Sequence, residues 1–482
     1  MTKPICKIPK KGLSRQSVLK TMKEYGGHDA DYKSGKTWSL VYFLGDEHTE
    51  FLKEAYGAYF SENGLNPMAF ESLKRFESEV ISMTARMLNG DENSVGTMTS
   101  GGTESCILSV KTYRDMAKAK KLLPGKPEMI VPESVHVAFA KAAEYLGIKF
   151  VRAPLDSDCR VNVKAVKRLI NRNTIMLVGS APSYPHGVID PIEELGEIAL
   201  KKNIPLHVDS CLGGFLLPFV EKLGYEIPPF DFRVPGVTSI SADLHKYGFS
   251  AKGASTICYR NIDYMKHQFF VTESWPGGIF ASPALLGTRP GGAIAAAWGA
   301  MTTIGEDGYT KNAKLIMETT QKLMDGIRAI PELDIVGKPV ASVFAYRSTS
   351  RDVSIYAVCD VMEKKGWNID RNQRPEALHA MVTPHHARVV DRYLEDLREA
   401  VSVVKKNPEL AQQGGAAMYG MIANIPLRGM VKNNVLKMMM DMYGPQSQMP
   451  NLQNPPEDGD WSMKAGMAFL KMKKRFYDKF NL

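Results

Sequence analysis

Lys246 lies near the end of the string Ser241-Ala242-Asp243-Leu244-His245-Lys246-Tyr247-Gly248, and a second lysine, Lys252, follows six residues later in Ala251-Lys252-Gly253. A lysine between a β-rich run (Val237-Thr238-Ser239-Ile240) and a glycine turn is where a chain can hold an amine ready to condense with a carbonyl cofactor. The chemistry this predicts is Schiff-base chemistry on pyridoxal phosphate.

Three further strings fit that cofactor. Asp209 ends the run Ile204-Pro205-Leu206-His207-Val208-Asp209 and precedes Ser210-Cys211-Leu212-Gly213-Gly214. A carboxylate at the carboxyl end of a sheet strand reaches a ligand in the crevice there, and in a pyridoxal enzyme it pairs with the pyridinium nitrogen. Taken without the lysine, the same aspartate reads as a structural cap. Thr99-Ser100-Gly101-Gly102-Thr103-Glu104-Ser105 opens a helix whose apolar positions Ile107, Val110, Tyr113 and Ala117 share one face. Its small residues let a phosphate approach the N–H groups at the positive end of the helix dipole, and the string also reads as a tight helix start capped by Thr103. GxGxxG and Walker spacings are absent, which argues against a dinucleotide or a nucleoside triphosphate. His136, in Pro132-Glu133-Ser134-Val135-His136-Val137-Ala138-Phe139, falls between a strand and a helix, where an imidazole can stack on a pyridine ring or simply pack. His385 and His386 sit in a charged helical stretch without matching ligands and read as surface.

These residues must be positioned by an alternation of strand-period and helix-period segments that begins near Phe70. Strands are predicted at Glu128 to Val131, Lys149 to Val151, Thr174 to Val178 and Ile204 to Asp209, with helices at Glu71 to Leu88, Ala138 to Leu146, Val163 to Ile170 and Ile192 to Lys201. Short apolar strands without strict alternation point to a mostly parallel α/β sheet covered on both faces. A glycine- and proline-rich passage from Trp275 to Gly292 and a small-residue helix from Ala293 to Thr303 precede a segment of different texture, in which helices predominate around strands near Leu333 to Val336 and Val343 to Tyr346. The expected division is a basic arm and lead-in over 1–69, a large cofactor-binding domain over 70–304 and a smaller α+β domain over 305–482.

Composition narrows the class. The 482 residues carry 61 Lys and Arg against 52 Asp and Glu, a net charge of +9 that suits an anionic small molecule, an acidic membrane surface or nucleic acid. Without an arginine-rich tail, zinc-finger spacing or an aromatic RNA-binding motif, nucleic acid is not expected as a partner. The six scattered cysteines suggest neither a disulfide framework nor a metal site. No membrane span or secretory signal is read, so a soluble cytoplasmic protein is expected, with export as an effector the other possibility. The first twenty residues hold six Lys or Arg, and no acid precedes Glu24. This arm reads as solvated, with peripheral contact with anionic lipid as the alternative.

Five strings together resemble the sphingosine-1-phosphate lyase family, within the wider pyridoxal-dependent decarboxylase group. They are Thr99 to Ser105, Glu133 to Phe139, Pro185-His186-Gly187-Val188-Ile189-Asp190-Pro191, Pro205 to Phe215 and Ser239 to Gly248, in a resemblance running from about Val41 to Met421. It implies the fold type I architecture of pyridoxal-phosphate-dependent transferases, with a mostly parallel seven-stranded sheet in the large domain, and a homodimer with shared active sites. By position, Lys246 would form the Schiff base, His245 would help hold the cofactor phosphate with Gly102 and Thr103, His136 would stack on the ring and Asp209 would meet its nitrogen. Lys252 and Tyr42 would serve the substrate phosphate or proton movement near C3, and Tyr419 matches another family tyrosine. Thr288-Arg289-Pro290-Gly291-Gly292 matches a loop near the neighbouring subunit's cofactor. Two positions depart from the pattern: Asn66 stands where the family has a histidine and Phe280 where it has a tyrosine. The implied reaction is retro-aldol cleavage of the C2–C3 bond of a phosphorylated long-chain base. The base at C3 is left open among Lys252, a tyrosine and the substrate phosphate. The rivals are an amino-acid decarboxylase, toward which Asn66 and Phe280 lean, and a catalytically weak lipid-binding protein.

Overall fold

Met129-Ile130-Val131 and Ile175-Met176-Leu177-Val178 are apolar without alternation, and each lies in a strand buried on both faces. The structure, a computed structural model, describes residues 7–120, 125–424 and 428–444. Its first half comprises α1 (Arg15–Tyr25), α2 (Asp46–Ala58), α3 (Glu71–Met87), β1 (Val95–Thr99), α4 (Gly102–Ala119), β2 (Glu128–Pro132), α5 (Ala138–Leu146), β3 (Lys149–Ala153), α6 (Val163–Leu169), β4 (Thr174–Ser180), α7 (Ile192–Lys202) and β5 (Leu206–Asp209). There follow α8 (Leu217–Lys222), β6 (Val237–Ala242), β7 (Ser255–Tyr259), α9 (Ile262–Met265), β8 (Phe270–Trp275), β9 (Gly278–Ser282) and α10 (Gly291–Arg328). The remainder is β10 (Leu333–Ile335), β11 (Val343–Ser348), α11 (Ile355–Lys364), β12 (Asp370–Gln373), β13 (Glu376–Met381), α12 (Val390–Lys406), α13 (Gly414–Asn424) and α14 (Arg428–Tyr443).

Strands β1 to β7 form one sheet in the order β1-β7-β6-β5-β4-β2-β3. Four of its pairings are parallel, and β7 runs antiparallel to both β1 and β6. The period of two along each strand divides the core. Met129, Val131, Met176 and Val178 join Ile107, Val110, Tyr113 and Phe139 of α4 and α5, whereas Ile130, Leu177, Leu206 and Val208 join Leu195 and Ile198 of α7 on the other face. This is the α/β class the alternation predicts.

The smaller unit is an antiparallel sheet in the order β10-β11-β13-β12 with α11 and α12 against it. The helix that the sequence places over Ala293 to Thr303 is longer than expected, because α10 continues to Arg328 through a kink at Gly305. Gly305 has φ +60°, a conformation that costs glycine little, and the expected boundary at 304/305 falls on that kink. The passage from Trp275 to Gly292 includes β9, which pairs with β8 as an exposed hairpin. Residues 445–482 of the expected C-terminal domain lie outside the described residues. Among the described residues no helix is long and apolar enough to cross a membrane.

The lead-in is stitched to the small sheet. Trp38 N–H donates to Asn368 O at 3.0 Å, and Met381 N–H donates to Trp38 O at 3.0 Å. The Trp38 indole is fully buried against Trp367 and Tyr393 and stacks on His386 at 4.2 Å. His386 is therefore not a surface residue. Its ring is buried, Nδ1 accepts from Thr383 N–H at 2.8 Å, and Nε2 lies 3.0 Å from Thr37 O. The charged residues around it gave no sign of a partner some 350 positions earlier. His385 meets the backbone of Lys33 and the edge of Phe43. Trp38→Ala should lower stability by about 3–5 kcal/mol, read as an earlier urea midpoint. An unchanged midpoint would mean that the lead-in is not part of the folded body.

Candidate active site

The crevice of an α/β sheet lies beyond the carboxyl ends of its strands. Here β1 ends at Thr99 and turns into α4, β2 leads to His136, β4 leads to Pro182 and Tyr184, β5 ends at Asp209, and β6 leads through Asp243 to Lys246. Residues from all five connections line one cavity of about 380 Å³, among them Gly102, Thr103, His136, Asp209, His245 and Lys246. The residues that the sequence assigns to the cofactor thus converge, apart from Gly291 and Gly292.

One end of the cavity is the start of α4. Gly101 is the N-cap residue and no side chain caps the helix, so Thr103 does not act as a cap and the first N–H groups face the cavity. Glu104 pins the preceding turn, accepting from Ser100 N–H at 2.8 Å and from Leu285 N–H at 2.8 Å. A Cβ on Gly102 would sit 2.7 Å from Asp243 Oδ2 and 2.8 Å from Cys211 Sγ, so only glycine lets the helix start approach the strand ends this closely. His245 lies against the same turn and accepts from Ala254 N–H through Nδ1 at 3.3 Å. That bond leaves Nε2 to carry the proton. Burial lowers the imidazole pKa against the opposing pull of Asp243, so the ring is a neutral donor.

At the other end stands Asp209. Its Oδ1 accepts from Cys211 N–H at 3.1 Å and from Ser241 Oγ at 3.3 Å, and among the described residues Oδ2 takes no hydrogen bond. An uncapped helix start, a carboxylate oxygen without a donor and an amine between them fit a phosphorylated pyridine aldehyde. His136, half-buried, accepts from Ala138 N–H through Nδ1 and stands edge-on to Tyr184, whose hydroxyl donates to Asp370 Oδ2 at 3.0 Å. The thiols of Cys106 and Cys211 and the Asp209 carboxylate lie within 4.8 Å of one another. The hydrogen bond between the thiols lowers Cys106 and raises Cys211, burial raises both, and the net result lifts both above the ordinary thiol range.

Lys246 Nζ forms an ion pair with Asp243 Oδ2 at 2.8 Å, and that carboxylate is almost wholly buried. Burial works to lower the ammonium pKa, but Asp243 outweighs it, and the group is held above the ordinary lysine range. Lys252 differs. Burial and the Lys246 charge depress its pKa, and its Nζ donates to Leu40 O at 3.1 Å and His245 O at 3.3 Å while lying 5.3 Å from the ring centroid of Tyr42. Tyr42 donates to Met381 Sδ at 3.2 Å and packs edge-on against Tyr247.

Lys252 and Tyr42 do not line this cavity but stand beside His245, and four other assigned residues lie away from it within one chain. Asn66 is exposed and accepts from Met68 N–H at 3.0 Å. Gly291 and Gly292 begin α10 beside α2, with Gly291 N–H donating to Glu62 O at 2.9 Å. Tyr419 packs on Tyr356 and under the Arg371 guanidinium. Phe280, the other departure from the family pattern, lies on the β8–β9 hairpin. Conversely, sequence reasoning missed Asp243 and Tyr184. Asp243 stood inside the very string that was read, three residues before Lys246, at a turn spacing that brings side chains together.

Comparison with known proteins agrees with the geometry. Residues 66–349 match the pyridoxal-dependent decarboxylase conserved domain. The chain is 48% identical over 444 residues to sphingosine-1-phosphate lyase of Arabidopsis thaliana, covering 90% of this chain and 81% of that one. To sphingosine-1-phosphate lyase 1 of Rattus norvegicus it is 46% identical, covering 86% of this chain and 73% of the relative. The solved sphingosine-1-phosphate lyase of Burkholderia pseudomallei superposes with a TM-score of 0.82 at 38% identity, covering 91% of this chain and 98% of that one. A glutamate decarboxylase of Lactobacillus brevis, at 21% identity and a TM-score of 0.74, shares the fold. The chain belongs to the sphingosine-1-phosphate lyase family of pyridoxal-dependent decarboxylases.

Proposed function

We infer that this chain is a pyridoxal-phosphate-dependent carbon–carbon lyase of sphingosine 1-phosphate or a related phosphorylated long-chain base, cleaving the C2–C3 bond to a fatty aldehyde and phosphoethanolamine. The observation that carries this reading is Lys246 in a cavity that also holds an uncapped helix start and the unpaired Oδ2 of Asp209. In this reading residues 70–304 are the cofactor-binding domain, 305–482 the small domain and 1–69 the lead-in. A cytoplasmic, reducing setting suits Cys106, Cys159, Cys211, Cys258 and Cys359, which are free thiols.

Pyridoxal phosphate, when bound, supplies an aldehyde that condenses with amines and a ring that accepts the electrons of the breaking bond. The N–H groups that open α4, with the Nε2 proton of His245, bind the phosphate. Asp209 holds a proton at the pyridine nitrogen, and His136 orients the ring plane. Asp243 Oδ2, 2.8 Å away, holds and orients the Lys246 Nζ in the cavity, and condensation draws on the fraction of that amine that has lost its proton. Lys252, beside Tyr42, offers a cation to the substrate phosphate. Pro182, Leu212 and Tyr184 wall the cavity and limit water.

The same reading makes the protein a homodimer. The β8–β9 hairpin exposes Phe270, Val271, Trp275 and Ile279, with Met68 and Leu285 exposed as well, an apolar surface of the kind that partners cover. A second copy would bring the segments bearing Asn66, Phe280, Gly291 and Gly292 to its neighbour's site. Sedimentation equilibrium should find a dimer for the native chain and a monomer for Val271→Glu combined with Ile279→Glu, with aldehyde release falling in step. A native monomer, or an unaltered double variant, would remove the shared site.

The reaction itself is tested on purified, cofactor-loaded protein with sphingosine 1-phosphate. Long-chain aldehyde should accumulate, and Lys246→Ala should reduce it to background. Absence of aldehyde from the native protein, or carbon dioxide release from an amino-acid panel in its place, would overturn the assignment.

A further inference from the structure

Helix α1 has no buried residue, and Ser14 caps it through a bond from Ser17 N–H. Val18, Leu19, Met22 and Tyr25 follow the spacing of one helix face and form a stripe about 120° wide. That stripe faces away from the protein. Leu19 is 65% and Met22 62% exposed, Val18 and Tyr25 are exposed with them, and Leu13 extends the apolar surface just before the cap. Thr21, on another side of the helix, is the one residue of α1 that is partly covered.

Basic residues border one edge of the stripe. Between residues 7 and 25 stand Lys7, Lys10, Lys11, Arg15, Lys20 and Lys23 against the single acid Glu24. Lys23 and Lys20 flank one edge, and Arg15 has a stem long enough to lie along the apolar face with its head outside it. An exposed apolar stripe with a basic edge, preceded by Lys7, Lys10 and Lys11, matches the interface of an anionic bilayer, where alkyl groups enter the acyl boundary and ammonium groups meet lipid phosphates. A second copy is a poorer occupant, since it would set the same basic segment, Lys7 to Lys23, against this one.

We propose that α1 docks the protein on anionic phospholipid surfaces. This rests on the lyase reading only for its purpose. A phosphorylated long-chain base partitions into bilayers, and the lead-in that starts with α1 also carries Tyr42 beside Lys252.

The test is co-sedimentation of the full-length, cofactor-loaded protein with vesicles of phosphatidylcholine mixed with phosphatidylglycerol, and with vesicles of phosphatidylcholine alone. Binding should be confined to the anionic vesicles and should weaken as salt screens the charges. Leu19→Glu combined with Met22→Glu should reduce apparent affinity about tenfold or more. Retained circular dichroism and cofactor absorbance would show that the variant is folded. Equal binding by the variant, or no binding by the native chain, overturns the proposal. So does conversion of a native dimer to a monomer by the same substitutions, which would assign the stripe to a second copy. Because the readout needs no turnover, it stands apart from the aldehyde assay, in which the variant should keep native activity on detergent-dispersed substrate.

Discussion

The ion pair between Lys246 and Asp243 is the constraint around which this structure is arranged. An ammonium group withdrawn from water tends to lose its proton, and a carboxylate withdrawn from water tends to gain one, so neither charge is stable there alone. Set 2.8 Å apart, each keeps the other ionised, and the Lys246 charge holds the Asp243 pKa down against the upward push of burial. Asp243 Oδ1 remains buried with no partner, so the pair is not fully satisfied by the protein. Such a pair is costly to form and costly to break by removing one member.

Much of the local architecture follows. Asp243 leaves β6 at the level where α4 begins, and the contact distance there admits no side chain on residue 102. The helix start then faces the cavity uncapped, and Asp209 and Lys246 occupy the ends of the neighbouring strands β5 and β6. Parallel strands place these chain ends on one edge without any need for the residues to be close in sequence. The small sheet completes the wall from outside, since Tyr184 donates to Asp370, stacks on His379 and so ties the connection after β4 to β12 and β13.

The elements of the large sheet were legible because each strand and its covering helix are local, continuous patterns. Lys246, Asp209, His136 and the Thr99 to Ser105 turn were legible for a related reason: each sits at or just after the end of a strand, which the apolar runs mark. What escaped depends on distant pairing. His386 looked like a charged surface residue because Trp38, on which it stacks, belongs to the far end of the chain. Asp243 was visible but silent, since its type gives no direction and only the turn after β6 aims it at Lys246. Asn66, Gly291 and Gly292, assigned by resemblance alone, are not assembled at the cavity by a single chain's geometry.

The most direct test of this ion pair is the rate at which cofactor-free protein captures pyridoxal phosphate covalently, followed across neutral pH by borohydride trapping at Lys246, in the native chain and in Asp243→Asn. Capture needs the free amine, and Asp243 holds the Lys246 pKa above its ordinary value. Removing the carboxylate lowers that pKa, so capture at a fixed neutral pH should become faster, by about tenfold for each pKa unit the carboxylate contributes. Equal rates and equal pH dependence in the two proteins would contradict the account.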